Sequence, residues 1–143
     1  DDGNVQVSAD FGATWTNITS QFYDAAGKPK VGLKGDIIPY DRWVKRVVPS
    51  AFDEHTCYVA FSGYRTHNED KTWLYVTKDL GKTWTDISGG MNNPIFDVEE
   101  DPDNANVLYL GTDYGIFVTV DSGKTWAAFS TTFSCCSAIF SSF

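Results

Sequence analysis

Two stretches of this 143-residue chain mix aromatic, charged and amide side chains in a combination that can grip a sugar. Residues 20–42 carry Tyr23, Lys28, Lys30, Lys34, Asp36, Tyr40, Asp41 and Arg42, and residues 62–73 carry Tyr64, Arg65, His67, Asn68, Glu69, Asp70 and Trp73. A ring can stack on the apolar face of a pyranose while nearby polar groups bond its hydroxyls. Tyr40, Arg42, Tyr64, Arg65 and Trp73 are therefore the candidate binding residues. The same composition equally suits polar loops with one or two aromatics folded onto their scaffold. Hydrolysis would need more, namely two carboxyls about 5–5.5 Å apart for retention or about 6.5–9.5 Å for inversion. The 19 acidic residues contain no pattern that isolates such a pair. Asp97 stands out most, at the end of an expected strand, and still reads as a solvated strand-end acid. No catalytic residue is assigned.

Other chemistries find less support. Asp101-Pro102-Asp103-Asn104-Ala105-Asn106 gathers oxygen donors but lacks the glycine and distal glutamate of an EF-hand loop, so it reads as an acidic turn. His55 and His67 have no third ligand in view, and Cys57, Cys135 and Cys136 form no C-x-x-C pair, so no metal site is expected. No phosphate loop, nucleotide fingerprint or Ser/His/Asp arrangement is present, and no cofactor is expected. Asn17-Ile18-Thr19 fits a glycosylation sequon, meaningful only in a secretory eukaryotic host.

The formal net charge of −8 disfavours nucleic acid, whose phosphates need a basic face, and disfavours anionic membrane surfaces too. No apolar run approaches the roughly 18 residues of a membrane span. No signal-like segment opens the chain, and its first residue is Asp rather than Met, so a fragment is expected.

The scaffold that must position the loops is written in a repeat. Ser8-Ala9-Asp10-Phe11-Gly12-Ala13-Thr14-Trp15 recurs as Thr77-Lys78-Asp79-Leu80-Gly81-Lys82-Thr83-Trp84 and as Thr119-Val120-Asp121-Ser122-Gly123-Lys124-Thr125-Trp126. Each copy follows a strand-like run, and an apolar residue lies three positions beyond each Trp, at Ile18, Ile87 and Phe129. The pattern is that of a hairpin turn. Asp accepts from nearby main-chain N–H groups, Gly supplies a positive φ, and the hydroxyls are expected to bond across the departing strands. The Trp is expected in the core. Asp10, Gly12, Trp15, Asp79, Gly81, Trp84, Asp121, Gly123 and Trp126 are thus read as structural.

These octapeptides resemble the Asp-box, or BNR repeat, of β-propellers such as sialidases, xyloglucanases and sortilin-like receptors. The resemblance implies an all-β fold of antiparallel four-stranded blades, with each box on the turn between the third and fourth strands. Asp79 and Asp121 are 42 residues apart, about one blade, whereas Asp10 and Asp79 are 69 apart. The expected organisation is a partial blade at 1–19, an insertion loop at 20–42, and blades at 43–91 and 92–130. That makes about two and a half blades of a larger propeller, followed by an atypical uncharged tail at 131–143. Strands are expected at 4–8, 15–19, 43–48, 57–61, 73–77, 84–88, 94–99, 107–111, 116–120 and 126–129.

The arginine triad of sialidases does not carry over, because Arg42, Arg46 and Arg65 all fall within one blade. The strings Lys45–Asp53, Tyr58–Arg65 and Glu100–Val118 look like late blades of bacterial sortilin-like propellers, which are often labelled glycosyl hydrolases. This resemblance implies a non-catalytic, exported propeller piece that binds peptide or glycan. The alternative is a piece of a glycoside hydrolase whose acids lie mostly elsewhere. Expected partners are a peptide or carbohydrate ligand and further blades or a second copy at the open sheet edges. Nucleic acid and membrane insertion are not expected, and the expected location is secreted, periplasmic or cell-surface.

Overall fold

The computed structural model describes residues 3–39, 41–64 and 68–129. The atypical tail expected at 131–143 and the candidate binding residues Tyr40 and Arg65 lie outside the described residues. Two segments with nearly unbroken apolar sequence, β4 (Cys57–Ser62) and β5 (Trp73–Thr77), form the middle of one sheet. Along β4, Tyr58 and Ala60 enter one apolar core while Val59 and Phe61 enter another, as the two-residue strand period requires. A sheet buried on both faces needs apolar residues at both parities, which is why these strands do not alternate in character.

The remaining strands complete the pattern. They are β1 (Gln6–Val7), β2 (Thr16–Asn17), β3 (Trp43–Pro49), β6 (Thr85–Asp86), β7 (Ile95–Glu100), β8 (Leu108–Thr112), β9 (Gly115–Thr119) and β10 (Ala127–Ala128). Every pairing is antiparallel. The sheets run β3-β4-β5-β6 and β7-β8-β9-β10, with β1-β2 as a separate hairpin. These are two four-stranded propeller blades and the outer hairpin of a third, hereafter the second, third and first blades. Both inner strands carry a bulge at the same place, between Val44 and Arg46 and between Ile95 and Asp97. Among the described residues no helix is long and apolar enough to cross a membrane.

The outermost strands are shorter than expected, two residues each. Pairing nevertheless extends one step further through Ile18 N–H to Val5 O (2.9 Å), Ile87 N–H to Leu74 O (2.9 Å) and Phe129 N–H to Ile116 O (2.7 Å). One core joins the second and third blades around Leu74, Val76, Ile87, Val98, Leu108 and Leu110. The other joins the first and second around Val5, Ile18, Phe22, Phe61, Tyr75 and Trp84.

The three boxes share one hydrogen-bond plan. Asp Oδ1 accepts from the Ser8, Thr77 or Thr119 hydroxyl at 2.8, 2.9 and 2.7 Å and from the N–H of Thr14, Thr83 or Thr125 at 2.8, 2.8 and 2.9 Å. Oδ2 accepts the second Thr hydroxyl at 2.6, 2.6 and 2.7 Å. The hydroxyls therefore converge on the carboxylate instead of bonding across the strands as expected. A carboxylate is the stronger acceptor and sits between them. Positive φ also begins one residue before the glycine, at Phe11, Leu80 and Ser122.

Gly81 and Gly123 have a second reason to be glycine. A Cβ on Gly81 would lie 2.5 Å from Ile18 Cδ1, and one on Gly123 would lie 2.7 Å from Ile87 Cβ. Each box thus presses on the preceding blade. Trp84 is buried there and Trp126 half-buried, but Trp15 is 62% exposed. The expectation that all three tryptophans enter the core fails at Trp15, because no blade lies against it among the described residues.

Candidate functional site

Register divides each blade into two ends. Pairings of Pro49 with Cys57 and of Cys57 with Thr77 place the β3–β4 turn and the Asp-box turn together at one end. Pairings of Trp43 with Ser62 and of Phe61 with Trp73 place the start of β3 and loop 62–73 at the other. The third blade repeats this, with Ile95 opposite Thr112 and Thr112 opposite Gly115. The boxes therefore sit at the end opposite the candidate loops.

At the box end, main-chain hydrogen bonds tie the turns together. Leu80 N–H donates to His55 O (3.1 Å), and Ser122 N–H donates to Asn106 O (2.9 Å), tying each box to the inner turn of its own blade. In the acidic turn Asp101 and Asn104 spend their side-chain oxygens on local bonds. Asp101 Oδ1 accepts Asp103 N–H at 3.0 Å, Asp101 Oδ2 accepts the Tyr109 hydroxyl at 3.0 Å, and Asn104 Oδ1 accepts Asn106 N–H at 3.0 Å. Among the described residues no group of three or more His, Cys, Asp or Glu side chains could hold a metal. Glu100 joins two blades here. Its Oε1 accepts the Ser50 hydroxyl at 2.8 Å and the Tyr58 hydroxyl at 3.0 Å, and its Oε2 accepts Ala51 N–H at 2.8 Å. Burial and then the Glu100 charge push the Tyr58 phenol upward from its ordinary pKa. Burial pushes the Cys57 thiol up to about 11, so it stays a thiol at neutral pH.

The insertion loop packs onto the blades over much of its length. A 3-10 turn at Ser20–Phe22 buries Phe22, the Tyr23 hydroxyl donates to Ile38 O at 2.7 Å, and Asp24 closes an Asx turn on Ala26 N–H at 2.8 Å. Further on, Asp36 N–H donates to Trp84 O at 2.8 Å and Asp36 Oδ2 accepts Asp86 N–H at 2.7 Å. The loop thereby covers the outer edge of the second blade, where β6 would otherwise expose its main chain. Gly35 permits the approach, since a Cβ there would meet Trp84 O at 2.5 Å.

Arg42 and Trp73 come together, engaged with each other and their neighbours. Arg42 donates to Glu69 through Nε at 3.0 Å and NH2 at 2.8 Å, and to Asp41 through NH1 at 2.5 Å. The Glu69 bond outweighs partial burial and holds the guanidinium more firmly protonated, with Asp41 adding to it. Arg42 Cζ lies 5.8 Å and Lys71 Nζ 3.7 Å from the Trp73 ring centroid, and Tyr75 stacks offset at 6.5 Å. Trp73 Nε1 is buried without a hydrogen-bond partner. Asp97 is also engaged, accepting from Arg46 Nε at 2.8 Å, while Arg46 NH2 donates to Glu99 at 2.5 Å.

Tyr64 is the described candidate that faces open space. It lines a cleft of about 240 Å³ at the loop end, between the second and third blades. Trp43 shares the rim from the start of β3, and Phe96 and Asp113 come from the third blade. Trp43, Tyr64 and Phe96 are all exposed, and Lys45, Ser62 and Asp113 add polar groups. Sequence reasoning missed Trp43, Lys45, Phe96 and Asp113. The available signal was register: the first residues of both inner strands fall at the loop end, beside Ser62 and Thr112.

No family model matches the chain. A curated xyloglucanase of Hypocrea jecorina (strain QM6a) is 30% identical over 141 residues, spanning 89% of this chain and 17% of that protein. The crystal structure of a GH74 enzyme from Niastella koreensis superposes with a TM-score of 0.61 at 23% identity, covering 88% of this chain and 18% of that one. The second likeness is one of fold. The chain spans less than a fifth of the length of either protein.

Proposed function

We propose that this chain is a piece of a glycoside-hydrolase-type propeller, acting outside the cell, whose loop end binds polysaccharide of the xyloglucan type. The observation that carries this reading is the cleft in which Trp43, Tyr64 and Phe96 stand beside Lys45 and Asp113. Exposed rings offer stacking platforms, and the ammonium and carboxylate can bond sugar hydroxyls. Similarity to a xyloglucanase favours saccharide over the peptide suggested by sortilin-like strings. Asp113 is the one carboxylate among the described lining residues, whereas hydrolysis needs two. This chain accordingly contributes binding, and the acids of a complete active site come from elsewhere in a longer protein.

Affinity electrophoresis in gels containing xyloglucan tests this. Retardation is expected for the intact chain and not for the Trp43→Ala, Phe96→Ala double variant, with no reducing sugar released by either. Unretarded migration of the intact chain would overturn the reading, and sugar release would place catalysis within this chain.

A further inference from the structure

At the loop end of the second blade the β3–β4 ladder stops at the pair Trp43 and Ser62. One step beyond it Arg42 and Gly63 lie side by side, each the chain neighbour of residues that line the cleft. A fork holds them there. Arg42 Nε and NH2 donate to the two Glu69 carboxylate oxygens at 3.0 and 2.8 Å, the bidentate geometry that a planar guanidinium offers and an ammonium does not. A long main-chain bond, Glu69 N–H to Gly63 O at 3.5 Å, ties the returning arm of loop 62–73 to its outgoing arm. The Arg42 side chain is only 12% exposed and its Cζ lies 5.8 Å from the Trp73 ring centroid, so water screens this pair less than a surface one. Gly63 belongs to the fit. Its φ lies outside the positive region, but a Cβ there would stand 2.7 Å from Glu69 Oε2 and 3.0 Å from Arg42 Cδ and Nε. Tyr64 follows directly. Its N–H donates to Ser62 Oγ at a long 3.4 Å and its ring is 50% exposed, so packing alone does not fix it.

We propose that Arg42 and Glu69 are positioning residues that preset Tyr64 against Trp43 on the rim of the cleft. They do not line the cleft themselves; they act through Gly63, whose main chain they clamp beside Arg42. A ring held in place before the ligand arrives spares the cost of ordering it at each binding event. The inference rests on the reading of this cleft as a saccharide site.

Calorimetry with xyloglucan oligosaccharides supplies one readout. Arg42→Lys keeps the charge but loses the fork, and Gly63→Ala pushes the flexible Glu69 carboxylate aside. Each is expected to weaken binding about fivefold, as freeing one side chain does. Neither should weaken it further once Tyr64→Ala is present, whereas each loss should add in full to that of Phe96→Ala. Losses that add in both backgrounds would mean a general structural role and would overturn the proposal. So would undiminished affinity in both single variants. A second readout needs no saccharide. The fluorine resonance of a 3-fluorotyrosine in place of Tyr64 is expected to stand apart from its position in urea, and to move toward that position in Arg42→Lys and in Gly63→Ala. A resonance unmoved in both variants would overturn the proposal whether or not saccharide binds. A resonance that moves as expected in a chain that binds no saccharide would support the clamp and overturn the saccharide reading alone.

Discussion

The indole Nε1 of Trp126 donates a 2.7 Å hydrogen bond to the main-chain oxygen of Ile87, 39 residues earlier and in the preceding blade. The same isoleucine side chain fills the space left by the missing Cβ of Gly123. One box therefore grips its neighbouring blade through a donor and a socket together. Trp84 repeats the burial but not the bond, since its Nε1 has no partner.

The sockets set an order of sensitivity among three equivalent glycines. Gly12, Gly81 and Gly123 have φ of 90°, 82° and 86°, so alanine strains all three by about 1–2 kcal/mol. At Gly81 and Gly123 the new methyl also collides with a neighbouring isoleucine, adding about 1–3 kcal/mol. Urea unfolding should rank Gly123→Ala as most damaging, then Gly81→Ala, then Gly12→Ala. Ile87 is struck at its Cβ, which cannot swing away, whereas Ile18 is struck nearest at its terminal Cδ1. Equal losses at all three would show that backbone strain alone decides.

Glu100 should matter more than a surface acid. Its carboxylate accepts from Ser50, Ala51 and Tyr58 across the blade junction, and Tyr58 is buried. Glu100→Ala leaves those donors unpaired and is expected to cost about 2 kcal/mol in urea unfolding. A change below about 0.5 kcal/mol would mean that water replaces the carboxylate without penalty.

Box carboxylates give the fold an acid limit. Hydrogen bonds from Thr14 and Ser8 bring Asp10 down from 3.8 to about 2, and those from Thr125 and Thr119 do the same for Asp121. Burial raises Asp79, but bonds from Thr83 and Thr77 outweigh it, so its carboxyl also ends below the ordinary value. Between the folded and unfolded values the unfolded chain binds more protons. The contribution is thus complete above 3.8 and is lost as pH falls through about 2. Urea midpoints measured across that window should fall with pH, and less steeply in Asp121→Asn. An unchanged slope in that variant would assign the acid sensitivity to other groups.

How legible each feature was in the sequence follows from how local it is. The box turn is closed by residues within eight positions of one another, so Asp10, Asp79 and Asp121 could be read as turn acceptors directly. Strand positions followed from the box spacing, although the outer strands proved shorter. The cleft is different: Trp43, Tyr64, Phe96 and Asp113 meet only through register and blade packing, which no local pattern encodes. Arg42 and Trp73 carried the right chemistry for sugar, yet Glu69, Lys71 and Tyr75 engage them in the fold. Trp15 matches its two counterparts in sequence and differs from them in the fold because no blade lies against it among the described residues.

The cleft is the central claim, and titration calorimetry with xyloglucan oligosaccharides addresses it most directly. Saturable binding is expected for the intact chain, weakened at least about tenfold in Trp43→Ala and in Tyr64→Ala, a loss of about 1.4 kcal/mol each. Undiminished affinity in both variants, or no heat of binding in the intact chain, would contradict it.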